Sequence, residues 1–267
     1  MNWQNIPKTD LVVKRAVVPK LDGLLEADFS QIEPRLFAYF MSRCGDDSLA
    51  AQFRGGMDIY ADMAAGIFGI TRGEVTDSLR QQAKRMFMSL LFGGGMRTLV
   101  ETQGWTHAEA KSLLRRFYTT IPGYRLVHNP PPREPWPGYV YQPGMIQRVI
   151  ESRGYITTVA GRRIVPEQWG EHKLLAYLIQ GSAADIMKGA LLRVDAFLKS
   201  VPGGVDSHMI LTVHDSILFD VEEEELPALE QYIPGVMTDE PLLNPDIINL
   251  EVSLEYSRTN WAEKAPL

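Results

Sequence analysis

The sequence has a single cysteine, Cys44, in 267 residues, so no disulfide can close within the chain. The ordinary role of such a thiol is that of a small core side chain. Long apolar runs are also missing: no stretch is long enough to span a bilayer, and no secretory leader is legible. A soluble, cytoplasmic protein without membrane partners is expected. An excess of positive charge, the simplest mark of a nucleic-acid binder, is absent as well, because the formal net charge is −6. The charge is unevenly spread, however. Residues 220–267 hold twelve acids against Arg258 and Lys264, whereas residues 72–116 hold eight basic residues against four acids. Patches, not totals, attract phosphate, so the acidic whole hides a basic middle. The Glu222-Glu223-Glu224-Glu225 run reads as a solvated turn. With 45% hydrophobic and 22% charged residues, the chain is globular and can bury the core of one or two domains.

Three stretches carry the chemistry. In Leu24-Leu25-Glu26-Ala27-Asp28-Phe29-Ser30-Gln31-Ile32-Glu33-Pro34-Arg35, an apolar run ends in a carboxylate. Ser30 followed by Glu33 is a capping-box pattern that opens a helix. Asp28 therefore stands where a strand stops, either as a plain turn residue or as a functional acid. The second stretch, Met209 to Val221, places two β-rich runs around His214-Asp215-Ser216. Leu211 and Val213 alternate before it, and Ile217, Phe219 and Val221 alternate after it, which predicts a hairpin with one buried face and Asp215 at its tip. An ordinary turn aspartate fits that position too. If the strands share a sheet, Asp28 and Asp215 converge, and two ionised carboxylates held together imply a cation. Oxygen ligation by few carboxylates suits Mg2+ completed by water and substrate phosphates.

Between the acids runs Thr76 to Gly95, with polar residues at its start, a body of helix formers and a triple-glycine stop. Arg80, Lys84, Phe87 and Leu91 share one stripe, with Met88 and Phe92 beside it. Two cations ahead of an apolar platform can hold a triphosphate at one end and a base and sugar at the other. A solvated amphipathic helix shows the same pattern.

Taken together and in order, the stretches resemble motifs A, B and C of the family A DNA polymerases, the bacterial DNA polymerase I type. Asp28-Phe29-Ser30-Gln31-Ile32-Glu33-x-Arg35 is similar to motif A, Arg80-x3-Lys84-x7-Phe92-Gly93 to motif B, and Val213-His214-Asp215 to motif C. The likeness extends to Asn2-x-Gln4-Asn5-Ile6-Pro7, Gly161-Arg162-Arg163, Gln180 to Asp185 and Asn260-Trp261. The resemblance implies an α+β fold: a right-hand polymerase palm, an antiparallel sheet with helices, and mostly helical fingers, without thumb or exonuclease domain. The implied division is palm over 1–40, fingers over 41–170 and palm again over 171–267.

What the resemblance implies for the site follows residue by residue. Asp28, Asp215 and the carbonyl of Phe29 would bind two Mg2+ ions, for which Mn2+ can substitute. Arg80 and Lys84 would neutralise the triphosphate, and Lys84 would also act as a catalytic acid. Gln31, Glu33, Tyr60, Met88 and Phe92 would line the nucleotide site, with Glu33 blocking a ribose 2′-hydroxyl. Arg162, Gln180 and His214 would touch primer or template. The implied partners are primer-template DNA and dNTPs, and possible sources of the missing upstream parts include a separate chain that supplies thumb and exonuclease domains. A compact, truncated form of this kind fits a phage-encoded enzyme.

Several positions depart from the family pattern. Phe92 replaces a tyrosine whose hydroxyl holds the gate glutamate, Met88 an aromatic that faces the sugar, and Tyr60 a histidine that touches the triphosphate. Ser216 stands in place of a glutamate and Pro34 in place of an apolar residue. Elsewhere, helices are expected over 57–69, 107–118 and 171–199, a capping box at Thr71 and Glu74, and a basic hairpin over 154–165. The proline-rich stretch 129–144 reads as an extended insertion. A single-subunit RNA polymerase relative and a non-catalytic DNA-binding or assembly subunit are the competing functions.

Overall fold

A computed structural model describes residues 11–129, 142–166, 170 and 173–267. The Asn2 to Pro7 segment, nearly all of the proline-rich stretch, and Glu171 with His172 lie outside the described residues. In chain order, α1 (Leu11–Arg15) precedes β1 (Gly23–Phe29), α2 (Ile32–Arg43), α3 (Ser48–Arg54) and α4 (Ile59–Phe68). Then come α5 (Asp77–Leu91), α6 (Met96–Gln103), α7 (His107–Thr120), α8 (Gly123–Val127) and α9 (Met145–Arg153). A short hairpin, β2 (Ile156–Thr157) and β3 (Arg163–Ile164), leads to the long α10 (Leu174–Ser200). The chain closes with β4 (His208–Val213), β5 (Ser216–Val221), α11 (Leu226–Thr238), β6 (Val252–Ser257) and β7 (Ala265–Pro266). Among the described residues no helix is long and apolar enough to cross a membrane.

The chain forms two compact units. The first comprises residues 1–32, 183–242 and 250–267, and the second residues 33–182 and 243–249. From Glu33 onward α2 belongs with the second unit.

The first unit is built on an antiparallel sheet of strand order β4-β5-β1-β6-β7. β1 lies in the middle, with Asp28 opposite Ser216 on one side and Ser253 on the other. Here the structure corrects the expectation of a hairpin with one buried face. All six residues of β5 are buried, because the strand is interior to the sheet. The two polar members inside it are satisfied by backbone groups, as burial requires: the Asp220 carboxylate accepts the backbone N–H groups of Lys20 and Leu21, both at 3.0 Å, and the Ser216 hydroxyl donates to the Val213 carbonyl at 3.0 Å.

A second buried acid anchors the middle of β1. Glu26 accepts a hydrogen bond from the Trp261 indole N–H at 2.7 Å and an ion pair from Lys264, which also pairs with Glu255 at 2.6 Å. Burial alone would push the Glu26 carboxyl up, but Lys264, Trp261 and Ser216 bring it below its ordinary value. Burial likewise opposes the Lys264 charge, and Glu255 and Glu26 outweigh it, raising that group.

The second unit is helical around an aromatic core. Phe87 of α5 meets Phe37 of α2 with centroids 5.7 Å apart, Tyr60 of α4 at 6.5 Å and Phe117 of α7 at 6.3 Å. Tyr124 of α8 packs on Phe37 and Phe117 and donates its hydroxyl to the Leu90 carbonyl at 2.9 Å. Buried Arg35 stacks on Phe53 and donates to the Asn249 carbonyl at 2.7 Å, which ties residues 243–249 to this unit.

Candidate functional site

β1 delivers Asp28 to the end of the sheet, and the β4–β5 hairpin delivers Asp215 beside it. Strands end at Val213 and resume at Ser216, so His214 and Asp215 are the two residues of the turn. His214 has φ 54°, a left-handed conformation that two-residue hairpins favour but that glycine adopts far more cheaply. The Phe29 N–H donates to the Asp215 carbonyl at 3.0 Å, and Asp28 faces Ser216 across the ladder. Asp28 thus pairs with the residue that follows Asp215, and Asp215 is bonded through its carbonyl to the residue that follows Asp28, so the backbone brings the two aspartates close together at one end of the sheet. Both are half-buried, Phe29 is buried and His214 is exposed at the turn.

After β1 the chain turns sharply. Gln31 also has a positive φ, 56°, and α2 begins at Ile32, one residue later than a cap at Ser30 predicts. The left-handed residue takes up the change of direction, and the Ser30 N–H is committed to the Glu251 carbonyl at 2.8 Å. Gln31 is exposed, and Glu33 is half-buried in the first turn of α2. The donor set on this unit is two carboxylates with oxygen-only chemistry, which fits a hard divalent cation that keeps water and substrate oxygens as its other ligands. Among the described residues no group of three His, Cys, Asp or Glu side chains forms a protein-only metal cage.

In the second unit α5 begins under the Thr76 cap, whose hydroxyl accepts the Leu79 N–H at 3.3 Å. It stops where Gly93 takes φ 81°, a value that disfavours any side chain. The expected apolar platform is corrected here. Phe87 and Leu91 are fully buried, Phe87 within the aromatic core, so the accessible ridge is Arg80, Lys84, Met88 and Phe92, with Phe92 37% exposed. Tyr60 is also only 2% exposed, and it lies beneath the cations instead of beside them. The Arg80 guanidinium carbon stands 5.6 Å from its ring centroid and the Lys84 ammonium 5.2 Å. Burial pushes the Tyr60 phenol up to about 12, with the Glu33 and Asp58 charges adding to the rise and Arg80 opposing it. Tyr60 is therefore a neutral phenol.

Sequence reasoning missed Asp58. One of its carboxylate oxygens caps α4, accepting the N–H groups of Tyr60 at 3.1 Å and Ala61 at 3.2 Å, and the other accepts Nε of Arg80 at 2.6 Å. An acid two residues past Gly-Gly is legible as a cap, but its partner lies 22 positions on and carries no local signal. Glu26 was missed as well, for the same reason: its partners sit at the far end of the chain.

A third group lies at the start of α10. Gln180 is exposed, and the Arg162 guanidinium donates to the Gly181 carbonyl next to it at 2.7 Å. Gly181 permits that approach, since a Cβ there would come within 2.9 Å of Thr158. The hairpin is pinned further by the Ser182 hydroxyl, which accepts the Val159 N–H at 3.2 Å. The structure thus brings Arg162 and Gln180 together.

The sequence model of DNA polymerase family A matches residues 1–263. The chain belongs to DNA polymerase family A. Similar relatives include DNA polymerase I of Bacillus subtilis, 31% identical over 88% of this chain and 26% of the relative, and the thermostable DNA polymerase I of Thermus filiformis, 30% identical over 98% of this chain and 30% of the relative. Among solved structures, the POL domain of Pol1 from M. smegmatis, in complex with DNA primer-template and dNTP, is similar with a TM-score of 0.81 and 32% identity. That match covers 98% of this chain and 44% of the other. The chain spans less than a third of the length of these curated relatives. The mixed helical and antiparallel fold expected of the family is the fold observed.

Proposed function

We propose that this chain is the nucleotidyl-transfer core of a family A DNA polymerase, adding deoxynucleotides to a primer 3′-hydroxyl under the direction of a template. The first unit is read as the palm and the second as the fingers. The observation that carries the reading is the adjacency of Asp28 and Asp215 at one end of the sheet. Two acids brought together this way from opposite parts of the chain form an oxygen-donor pair suited to a hard divalent cation.

Phosphoryl transfer asks a protein mainly for positioning and charge stabilisation. Asp28 and Asp215, with the Phe29 carbonyl, would hold two Mg2+ ions. When bound, such ions supply Lewis acidity, lowering the pKa of the primer hydroxyl and neutralising the phosphates. The fingers contribute fixed cations. Arg80 and Lys84 bind the triphosphate and stabilise the charge that grows as pyrophosphate departs, and Lys84 can return a proton to it. Met88 and Phe92 form the wall for sugar and base, and Glu33 excludes a 2′-hydroxyl, with Gln31 beside it. His214 stands at the primer end next to Asp215. Arg162 and Gln180 contact the duplex, the amide reading minor-groove acceptors common to all base pairs. The similar M. smegmatis structure, with primer-template and dNTP, supports these partners.

Primer extension on a defined template with Mg2+, comparing dNTPs with NTPs, tests the assignment. Extension with dNTPs that disappears in Asp215→Asn supports it. Undiminished extension in that variant refutes it, and a preference for NTPs moves the chain to RNA synthesis.

A further inference from the structure

The ion pair between Asp58 and Arg80 has a division of labour that a simple surface salt bridge lacks. The cap on α4 uses only one carboxylate oxygen, which leaves the other for Arg80. Arg80 engages it through Nε, the nitrogen on the stem side of the guanidinium, at 2.6 Å. The carboxylate is itself anchored by the backbone of α4, and the guanidinium lies over the Tyr60 ring, which packs edge-on against Phe87. Among the described residues no other acid forms an ion pair with Arg80. A guanidinium held at Nε and supported on an aromatic face has lost most of its rotamer freedom, while the terminal nitrogens are the ones suited to bidentate contact with phosphate oxygens.

We propose that Asp58 is a positioning residue for Arg80: it fixes the guanidinium over the buried Tyr60 ring so that an incoming deoxynucleoside triphosphate meets an already oriented cation. The inference rests on the reading of α5 as the triphosphate-binding helix. It also gives Tyr60 a role different from direct phosphate contact, as the support on which both Arg80 and Lys84 lie. Pre-orientation lowers the ordering cost of binding, so the effect falls on nucleotide affinity.

Asp58→Asn is the discriminating variant. Asparagine caps a helix as well as aspartate does, so α4 keeps its start. Its remaining side-chain group, however, is an amide N–H that faces a donor and cannot accept from Arg80. The expected result is a rise of about fivefold in KM for dNTP at nearly unchanged kcat, the size of the ordering cost of one long side chain. The melting temperature should stay within about 2 °C, because the cap is retained. In an Arg80→Gln background the same change should add less than about twofold, since residues acting through one contact are not additive. Tyr60→Leu, which removes the ring beneath both cations, should weaken nucleotide affinity.

An unaltered KM in Asp58→Asn, or a full effect persisting in Arg80→Gln, overturns the proposal while leaving the polymerase reading standing. A wild-type chain that neither binds dNTP nor extends a primer overturns both. Equilibrium dNTP binding, measured in parallel, separates these cases.

Discussion

In the proposed polymerase site, Phe92 lacks the hydroxyl that would hold the gate glutamate Glu33. Both belong to the second unit, the phenylalanine 37% exposed and the glutamate half-buried. A tyrosine at position 92 would place a donor where phenylalanine has none. Phe92→Tyr is expected to sharpen rejection of ribonucleotides by about tenfold, the worth of one hydrogen bond to a charged acceptor. Competing dCTP and CTP incorporation measures it, and equal discrimination in the two forms would count against the gate. Lys264 is the residue-scale counterpart for stability. Its side chain and that of Glu26 are 19% and 9% exposed, so removing the cation strands a buried carboxylate. Lys264→Met should cost about 3 kcal/mol in denaturant unfolding, and the double variant Glu26→Leu with Lys264→Met should cost less than the single one.

That pair also sets a pH window. Glu26 titrates below its ordinary value of 4.5 in the folded protein, so its contribution is complete above 4.5 and vanishes as pH falls through the lower folded value. Lys264 titrates above its ordinary 10.5, so its contribution is complete below 10.5 and is lost as pH rises through the higher folded value. Unfolding free energy should therefore decline at both extremes, and the Lys264→Met variant should lose much of the alkaline decline.

At the scale of the element, the β4–β5 turn stores strain beside the carboxylates. His214 holds φ 54°, which glycine tolerates without Cβ conflict. His214→Gly should stabilise the fold by about 1 kcal/mol while reducing extension by about tenfold or more through loss of the primer-end contact. A variant both more stable and fully active would show that the imidazole has no part in the reaction. The same element shows how much was readable in advance. The turn, its aspartate and the extent of α5 were visible from β-rich runs, the capping threonine and the glycine stop. The depth of β5 was not, because Ser216 and Asp220 interrupt the apolar pattern, and Asp220 is satisfied by backbone about two hundred positions away. Phe87 and Leu91 were misplaced for a related reason. A helical stripe shows which residues share a face, and packing, as of Phe87 against Phe37, Tyr60 and Phe117, decides what that face meets.

For the whole molecule, acidic overall and basic only in its middle, activity should hinge on divalent cations to bring phosphate near aspartates. Chelation should stop primer extension, and Mg2+ or Mn2+ should restore it. Asp28→Asn and Asp215→Asn should each lower extension by about a thousandfold or more, with far-ultraviolet circular dichroism unchanged. Long-range organisation was the least legible level. The alliance of Glu26 with Trp261 and Lys264, and of Arg35 with Asn249, joins residues more than two hundred positions apart, and nothing in local composition marks either.

The indole of Trp261 is sunk in the core with its N–H on Glu26, two residues along β1 from Asp28. A form of the protein that retains this tryptophan and replaces the others would carry its own optical gauge. Its emission should be blue when the strand beneath the aspartates is intact and should redden when that strand loosens, so structural damage could be told from chemical failure in one cuvette.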